Sequence, residues 1–203
     1  MLGLEAEQRL LGHGVTTCAT CDGFFFRGQE IAVVGGGDSA VEEATFLTKF
    51  ADHVTIVTRD TALSASAEVV QKVLEHDDIS VLTGATPVGF AQADGKFAGL
   101  EVERDGGREV IEADGAFVFI GLSPNSELVR DLVEVDQQGF VVSDAGMQTS
   151  QPGIFVAGDV RSGSTKQAAS AAGEGAAAAL AVRRYVEPIA SGLRPMKAEA
   201  PVG

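Results

Sequence analysis

The sequence predicts an α/β fold, and three observations carry that prediction. A short apolar strand over Glu30–Val34 leads into a glycine-rich turn, a helix and a second strand, which together make a βαβ unit. Alternating residues on both sides of Asp105-Gly106-Gly107 predict an antiparallel hairpin, placed before the last parallel strand. From residue 122 the pattern changes to turns and one long Ala-rich helix. We therefore expect a Rossmann-like domain with an antiparallel β insertion over residues 1–121, followed by a smaller block over 122–187.

Size and charge limit the classes of function. The 203 residues carry a net charge of −14, so nucleic acid and anionic membrane surfaces are disfavoured partners because their phosphates would be repelled. No apolar run reaches the roughly 18 residues that a membrane span requires. The first residues lack the basic flank and cleavage site of a signal peptide. We expect a soluble, cytoplasmic protein with neither a nucleic-acid nor a membrane partner.

The chain has only two cysteines, and they form one C-x-x-C pair, Cys18 and Cys21, followed at once by Asp22. Two thiols at this spacing can close and reopen a disulfide, which moves two electrons, and the acid can supply a proton. A zinc site is a weaker interpretation because none of the three histidines forms an H-x(3–5)-H pair. A structural disulfide would gain little stability from closing so short a loop, and an inert buried pair of thiols is also a weaker interpretation. We expect redox catalysis and no metal.

The first strand ends in a dinucleotide-binding signature, since Gly35, Gly37 and Ala40 fit G-x-G-x-x-A. The first glycine permits a tight turn, the second lets a pyrophosphate approach the backbone, and the small third residue packs the helix on the strand. Asp38 or Ser39 is expected to cap the helix, which should run to about residue 50. A second strand over 53–58 would complete the unit.

The end of that second strand normally reads the adenosine ribose, with an acid for a free 2′-hydroxyl and an arginine for a 2′-phosphate. The sequence here is Thr58-Arg59-Asp60, which offers one residue of each kind. Arg59 is the candidate for a 2′-phosphate, and Asp60 would oppose it or pair with it. An ordinary exposed ion pair between the two is an equal alternative.

The rest of the chain supplies further elements. We expect a helix over 65–75, strands over 79–82, 97–103, 108–113 and 116–120, a short hairpin near 136–142 and a helix over 166–186. An apolar strand running into Gly158-Asp159 is a frequent way to aim a carboxylate at a ribose or ribityl hydroxyl. The amino-terminal N–H groups of the last helix could receive electron-rich atoms. Residues 188–203 are expected to form a flexible tail.

Four motifs together resemble low-molecular-weight thioredoxin reductase. They are C-A-T-C-D-G-F-F at 18–25, A-V-V-G-G-G-D-S-A-V-E-E-A at 32–44, P-G-I-F-V-A-G-D-V at 152–160 and K-Q-A-A-S-A-A-G-E-G at 166–175. They occur in the family's order, and the resemblance runs from residue 2 to about residue 186. It implies NADPH and FAD as cofactors, thioredoxin or a similar protein as the substrate, and a homodimer.

The resemblance also assigns roles to residues. Cys18 would attack the thioredoxin disulfide, Cys21 would face the flavin, and Asp22 would donate the proton. The glycine turn would hold the NADPH pyrophosphate. The residues implied to contact FAD are Gly158, Asp159, Val160, Lys166, Gln167 and Ala168.

Two features depart from the family pattern. Family members begin with a βαβ half that carries its own G-x-G-x-x-G for FAD, and this chain has a single such fingerprint. We therefore expect an amino-terminally shortened chain in which 122–187 is only the last part of an FAD-binding domain. The family's H-R-R-x-x-x-R is T-R-D-T-A-L-S at 58–64, so NADH use, weak NADPH use or another electron donor is possible. Two different functions also fit the sequence: a flavin-free NAD(P)-binding redox sensor, and a reductase linked to ferredoxin or reduced flavin.

Overall fold

The computed structural model describes residues 1–192, and the chain divides into two compact units, Met1–Gly121 and Leu122–Gly203. The helices of the described residues are α1 (Glu7–Leu10), α2 (Ala19–Asp22), α3 (Asp38–Leu47), α4 (Ala67–Leu74) and α5 (Ala168–Ala190). The strands are β1 (Val15–Thr16), β2 (Glu30–Val34), β3 (His53–Val57), β4 (Ile79–Leu82), β5 (Thr86–Ala93), β6 (Lys96–Arg104), β7 (Gly107–Glu112) and β8 (Gly115–Val118).

A five-stranded parallel sheet forms the centre of the first unit, with strand order β1-β8-β2-β3-β4. The predicted βαβ unit is confirmed, since β2 pairs with β3 in parallel from Glu30 opposite His53 to Val34 opposite Val57. On its other side β2 pairs with β8, the strand that returns after the antiparallel insertion. The carboxyl ends of β2, β3 and β8 therefore meet at one edge of the sheet, where ligands of such sheets bind.

Both faces of the parallel sheet are buried, which explains the unbroken apolar run of β2. One face packs against α3 and α4, where Ile31, Val33 and Leu47 are at most 1% exposed. The other face packs against the antiparallel sheet, where Leu100 and Val102 are fully buried. Burying side chains of this size contributes roughly 1.5–3 kcal/mol each. The sheet edge that carries the glycine turn is thus held by core on both sides.

The antiparallel insertion has three strands in the order β5-β6-β7, one more than the predicted hairpin. The hairpin between β6 and β7 turns at Asp105 and Gly106, whose φ angles of 51° and 78° suit a two-residue turn of the I′ type. The additional strand β5 contains Pro87 and Gly89, and its pairing with β6 shifts register between them. That irregularity breaks the period-2 pattern by which a strand is predicted.

The second unit has little regular sheet in its described part. The predicted hairpin near 136–142 is present, because the Asp136 N–H donates to the Phe140 carbonyl at 2.8 Å and Val135 lies opposite Val141. The predicted strand before Gly158 is wrong, since that segment makes only one isolated bridge, between Phe155 and Gln148. Its apolar residues serve instead as a small core, formed by Val133, Val141 and Val156.

The long helix α5 differs from its prediction at both ends. It begins at Ala168, two residues later than expected, and it continues to Ala190 with Pro188 inside it. Residues 188–190 are therefore helical. Pro188 removes one N–H donor from the last turn, but the hydrogen bond from the Ser191 N–H to the Glu187 carbonyl is still made. Residues 193–203 of the predicted tail lie outside the described residues. Over residues 1–192 we find no helix with the length and apolar character of a membrane span.

Candidate redox and nucleotide-binding site

The cysteine pair lies at the surface of the first unit, just after the edge strand β1. Cys18 precedes α2 and Cys21 lies within it, and the two form a disulfide. Cys18 is half-buried and Cys21 is exposed. Ala19, between them, is only 2% exposed and joins the core under α3. The packing of Ala19 therefore holds α2 in place, and the disulfide lies at the surface.

Asp22 is tied to the backbone that carries the cysteines. The buried hydroxyl of Thr16 donates a hydrogen bond to the Asp22 carboxylate and accepts one from the Cys18 N–H at 3.2 Å. The Cys21 N–H points at the Cys18 sulfur, at 3.1 Å. An N–H in that position stabilises negative charge on the sulfur, which is what a thiolate nucleophile or leaving group needs. The structure therefore brings the three predicted catalytic residues together.

Two exposed aromatic side chains follow the cysteine pair and were missed by the sequence reasoning. Phe24 is 58% exposed and Phe25 is 74% exposed. The third of the three successive phenylalanines, Phe26, turns inward and packs edge-on against Phe117 at 5.2 Å. Three consecutive aromatic residues in a single short turn cannot all face the core. The run of three phenylalanines was therefore the signal from which the exposed pair could have been predicted. Exposed aromatics are a frequent feature of protein-docking surfaces.

The two glycines of the signature differ in what surrounds them. Gly35 has φ of +143°, and a side chain there would strike the Phe119 carbonyl and lie 2.9 Å from the Ala40 Cβ. At Gly37 an added Cβ would meet nothing closer than the Ser64 hydroxyl at 3.9 Å. The first glycine is therefore needed by the fold, whereas the second leaves open space in front of the backbone. A ligand's pyrophosphate needs such a space.

The predicted cap of α3 is wrong. Gly37 is the N-cap residue and no side chain caps this end of the helix. Asp38 is the first helical residue, and its carboxylate instead accepts a hydrogen bond from the Ser66 N–H at 2.8 Å. Ser39, the other predicted cap, is exposed on the cavity side. Uncapped N–H groups at a helix start favour an anionic ligand.

A cavity of about 680 Å³ opens beyond the carboxyl ends of β2, β3 and β8. This volume falls in the range of cofactor sites. The six residues that the sequence predicts to contact the dinucleotide all line it: Gly35, Gly37, Asp38, Ser39, Ala40 and Arg59. Their role in binding stays a prediction. The open glycine turn and the uncapped helix start after it fit the pyrophosphate of a dinucleotide.

The end of β3 forms one wall of this cavity. Thr58 is 3% exposed, and its hydroxyl accepts a hydrogen bond from the Asp60 N–H at 3.3 Å. Arg59 and Asp60 are both exposed and line the cavity. The ion pairs of the described residues do not include one between them. The structure thus shows no Arg59–Asp60 ion pair among the described residues, and both side chains line the cavity.

In the second unit, the predicted FAD-contacting residues group around the start of α5. Gly158 has φ of +81° and lies close to Ala171 in the first turn of α5. A Cβ added at Gly158 would lie 3.4 Å from the Ala171 Cβ. Asp159 is exposed beside it, and so are Gln167 and Ala168. An exposed carboxylate next to an exposed helix start suits the hydroxyls and ring atoms of a flavin nucleotide. Val160 is half-buried and its carbonyl accepts from the Val141 N–H.

Lys166 is held by the protein itself. It adopts φ of 58°, and its ammonium donates to the carbonyls of Arg161 and Ser164 at 3.0 and 3.3 Å. The same ammonium lies 4.1 Å from the centre of the Phe140 ring, a cation–π contact. Its side chain therefore shapes the loop before α5, and any contact with FAD would come from its backbone or after rearrangement.

Glu174 is a further residue of this group that the sequence reasoning missed. Its carboxylate accepts two hydrogen bonds from Arg161, at 2.8 and 2.9 Å, and one from the Gly158 N–H at 2.8 Å. The Arg161 hydrogen bonds, and then that of Gly158, lower the pKa of Glu174 from the usual 4.5 to about 2. Glu174 thereby fixes the Gly158-Asp159 turn to α5. Only the tertiary contact reveals this role.

Among the described residues, no group of three or more histidine, cysteine or carboxylate side chains is arranged to hold a metal ion. The sulfur atoms of the two cysteines are engaged with each other.

Comparison with known proteins gives one consistent result. The chain is 45% identical over 189 residues to a thioredoxin reductase of Mycolicibacterium smegmatis, an alignment that covers 91% of this chain and 60% of that protein. It is 39% identical over 194 residues to a thioredoxin reductase of Listeria monocytogenes, covering 95% and 61%. The chain thus spans about 60% of the length of these relatives.

The fold agrees with a solved relative. The crystal structure of thioredoxin reductase from Streptococcus pyogenes superposes with a TM-score of 0.86 at 38% identity, over 92% of this chain and 62% of that one. The sequence profile of the pyridine nucleotide-disulphide oxidoreductases matches residues 1–175, which include the cysteine pair, the glycine turn and the start of α5. This chain belongs to the pyridine nucleotide-disulphide oxidoreductase family.

Proposed function

We propose that the chain serves as a thioredoxin-reductase-type oxidoreductase. Electrons would pass from a reduced nicotinamide dinucleotide, through FAD, to the Cys18–Cys21 disulfide and then to thioredoxin or a similar protein disulfide. The observation that carries this proposal is a disulfide at the surface of the same compact unit that contains an open glycine-turn cavity. The similarity to thioredoxin reductases supports it over the same residues.

The dinucleotide would bind at the edge of the parallel sheet. Gly37 leaves room for the pyrophosphate, and the uncapped start of α3 offers N–H groups to its charge. Arg59 and Asp60, at the end of β3, would lie at the adenosine ribose. NADPH is the donor implied by the family resemblance, and NADH is the other possibility.

The cysteines would then carry the electrons in three balanced steps. Two electrons and two protons open the disulfide to two thiols, and Asp22, held beside the pair by Thr16, exchanges the proton. The Cys18 thiolate attacks the partner's disulfide, which forms a mixed disulfide and releases one partner thiol. Attack by Cys21 on Cys18 releases the second partner thiol and re-forms the internal disulfide.

FAD, when bound, supplies the carrier that accepts a hydride and passes on an electron pair. The residues that would hold it in this chain are the exposed Asp159, Gln167 and Ala168, with Val160 and Lys166 shaping the loop between them. Glu174 keeps Gly158 and Arg161 in register with α5. Homodimerisation stays a prediction from the family resemblance, and a cytoplasmic location stays a prediction from the sequence.

One experiment tests this proposal on the full chain. The protein is mixed with FAD, and the absorbance spectrum is read before and after addition of reduced nicotinamide dinucleotide and oxidised thioredoxin. The expected result is a bound-flavin band that is bleached by the nucleotide and restored by thioredoxin. The Cys21→Ser variant should bind flavin equally but fail to turn over. Flavin-loaded protein that leaves the thioredoxin disulfide oxidised would contradict the proposal.

A second candidate is a flavin-free NAD(P)-binding redox sensor. The observation in its favour is that the disulfide and the cavity both belong to the compact unit Met1–Gly121, which has its own core. The two candidates separate in the same experiment. Protein that stays colourless with FAD, yet binds NAD(P)H and changes the oxidation state of Cys18–Cys21, would support the sensor.

A further inference from the structure

We propose that the cavity selects a nicotinamide dinucleotide with a free 2′-hydroxyl, NADH, over one with a 2′-phosphate, NADPH. The inference rests on the proposed function only in that the cavity takes a dinucleotide. The charges that surround the ribose position distinguish the two possible electron donors, and Asp60 is the residue that sets the preference.

The backbone at the end of β3 is held in place, so its side chains occupy a defined part of the wall. The Ala85 N–H donates to the Thr58 carbonyl at 3.0 Å, and the Gly84 N–H donates to the Asp60 carbonyl at 2.9 Å. The Asp60 N–H donates in turn to the Thr58 hydroxyl. Three hydrogen bonds therefore fix residues 58–60 at the position that contacts the adenosine ribose in this type of sheet.

The charges that line the cavity do not favour an added phosphate. Its charged residues, within the described part of the chain, are Asp38, Arg59 and Asp60, which are two negative charges and one positive. Asp38 is already engaged by the Ser66 N–H. Arg59 is thus the single cation that the described residues bring to the lining, and Asp60 follows it directly in the chain. A 2′-phosphate would bring about two more negative charges to this wall.

The part of the lining that follows Asp60 adds no positive charge. The loop after Asp60 returns to the glycine turn, where the Ser64 N–H donates to the Gly36 carbonyl at 2.7 Å. The Ser64 hydroxyl is the atom nearest to a Cβ added at Gly37, at 3.9 Å. A hydroxyl at this place adds no positive charge to the cavity. This part of the lining therefore offers a phosphate no partner of opposite charge among the described residues.

A carboxylate discriminates between the two nucleotides in both directions. It accepts a hydrogen bond from a ribose 2′-hydroxyl, and it repels a phosphate in the same place. Arg59 alone would attract the phosphate, but the adjacent carboxylate offsets that attraction. We expect NADH to bind at least about tenfold more tightly than NADPH.

The test is calorimetric titration of the full chain with NADH and with NADPH, which requires neither flavin nor turnover. Asp60→Asn removes the charge and should reduce the preference for NADH, and Asp60→Arg should reverse it in favour of NADPH. The matched control is Asp105→Arg, which makes the same change of net charge in an exposed hairpin turn outside the cavity. It should leave the ratio of the two affinities unchanged.

The outcomes separate this inference from the proposed function. Tighter or equal binding of NADPH by the unmodified chain overturns the inference and leaves a dinucleotide site in place. An effect of Asp60→Arg no larger than that of Asp105→Arg overturns the role of Asp60. A chain that binds neither nucleotide overturns the proposed function and this inference with it. Circular dichroism of each variant confirms that the fold is retained.

Discussion

The hydroxyl of Thr16 donates a hydrogen bond to the carboxylate of Asp22, six residues further along the chain. The same oxygen accepts from the Cys18 N–H, so one buried atom links the edge strand β1, the first cysteine and the acid. The segment that carries the cysteines is therefore ordered by the parallel sheet rather than by its own short helix.

Replacing that hydroxyl should destabilise the chain. Thr16→Val keeps the shape of the side chain but removes both hydrogen bonds, one of them to a charged acceptor, and we expect a loss of about 1–2 kcal/mol in the free energy of unfolding. Urea denaturation followed by circular dichroism measures the loss. Thr16→Ser should recover most of it, and Thr17→Val, at the exposed neighbouring position, should have little effect. Equal stability of Thr16→Val and the unmodified chain would refute the link.

The two glycines of the turn should respond differently to alanine. Gly37 has an ordinary φ of −86° and open space in front of it, so Gly37→Ala should fold normally. Its methyl group would enter the space of the pyrophosphate, and NADH affinity should fall by about tenfold or more in calorimetry. Gly35→Ala should instead cost roughly 1–3 kcal/mol, because it places a side chain at φ of +143° against the Phe119 carbonyl.

Hydrogen exchange of the β2 peptide, measured by mass spectrometry, provides the control for this pair. Gly37→Ala should leave the protection of residues 30–34 unchanged, and Gly35→Ala should lower it. If the two variants lose nucleotide affinity and protection in parallel, the separation between a packing glycine and a binding glycine fails.

The central βαβ unit could be predicted because its signals are local. β2 is an apolar run with glycines at its end, and the helix after it repeats its apolar residues at helical spacing, so Ala40, Val41 and Ala44 all face the core. Most of the predicted cavity residues belong to the same turn, and Arg59 follows the next strand. The cysteine pair could be proposed as a redox site from its C-x-x-C spacing and the acid that follows it.

The parts that could not be predicted depend on contacts between distant residues. The strand β5 pairs over its whole length with β6, but Pro87, Gly89 and the register shifts hide its alternation. The role of Glu174 follows from Arg161 and Gly158, which lie 13 and 16 residues earlier in the chain. The predicted cap of α3 was wrong because the Asp38 carboxylate accepts a hydrogen bond from the Ser66 N–H, 28 residues away, and not from its own helix.

Phe25 should matter for a protein substrate and not for a small one. The reduced chain is mixed with oxidised thioredoxin, and the rate of disulfide exchange is followed without flavin. Phe25→Ala removes the most exposed aromatic beside the cysteines, and we expect a rate about tenfold lower, the size of a typical interface hot spot.

The control reaction for Phe25 uses a small aromatic disulfide, dithiobis(nitrobenzoate), whose reduction Phe25→Ala should leave within about twofold of the unmodified chain. Leu128→Ala removes a still more exposed apolar side chain in the second unit, where Leu128 is 90% exposed, and should change neither rate. A parallel loss with both substrates would show that Phe25 acts on the cysteines themselves and not on docking.

Glu174 should make the stability of the second unit depend on pH. Its pKa is lowered by Arg161 from 4.5 to about 2, so its stabilising contribution is complete above pH 4.5 and disappears as the pH falls towards 2. Glu174→Gln should therefore lower the urea midpoint at pH 7, and the difference from the unmodified chain should shrink between pH 4.5 and 2. Tyr185 reports on this unit, because the chain has one tyrosine and no tryptophan, and its ring packs on Phe155.

The matched control for Glu174 is Glu187→Gln. Glu187 also pairs with an arginine, Arg183, at 2.6 Å, but both side chains are more than half exposed. An exposed pair at i,i+4 spacing contributes little, so this variant should leave the tyrosine-monitored midpoint nearly unchanged at every pH. If Glu174→Gln lowers the midpoint by the same amount at pH 7 and at pH 3, the effect does not come from the carboxylate's charge. In that case the loss comes from the amide itself, which places an NH2 donor where a carboxylate oxygen accepts a hydrogen bond.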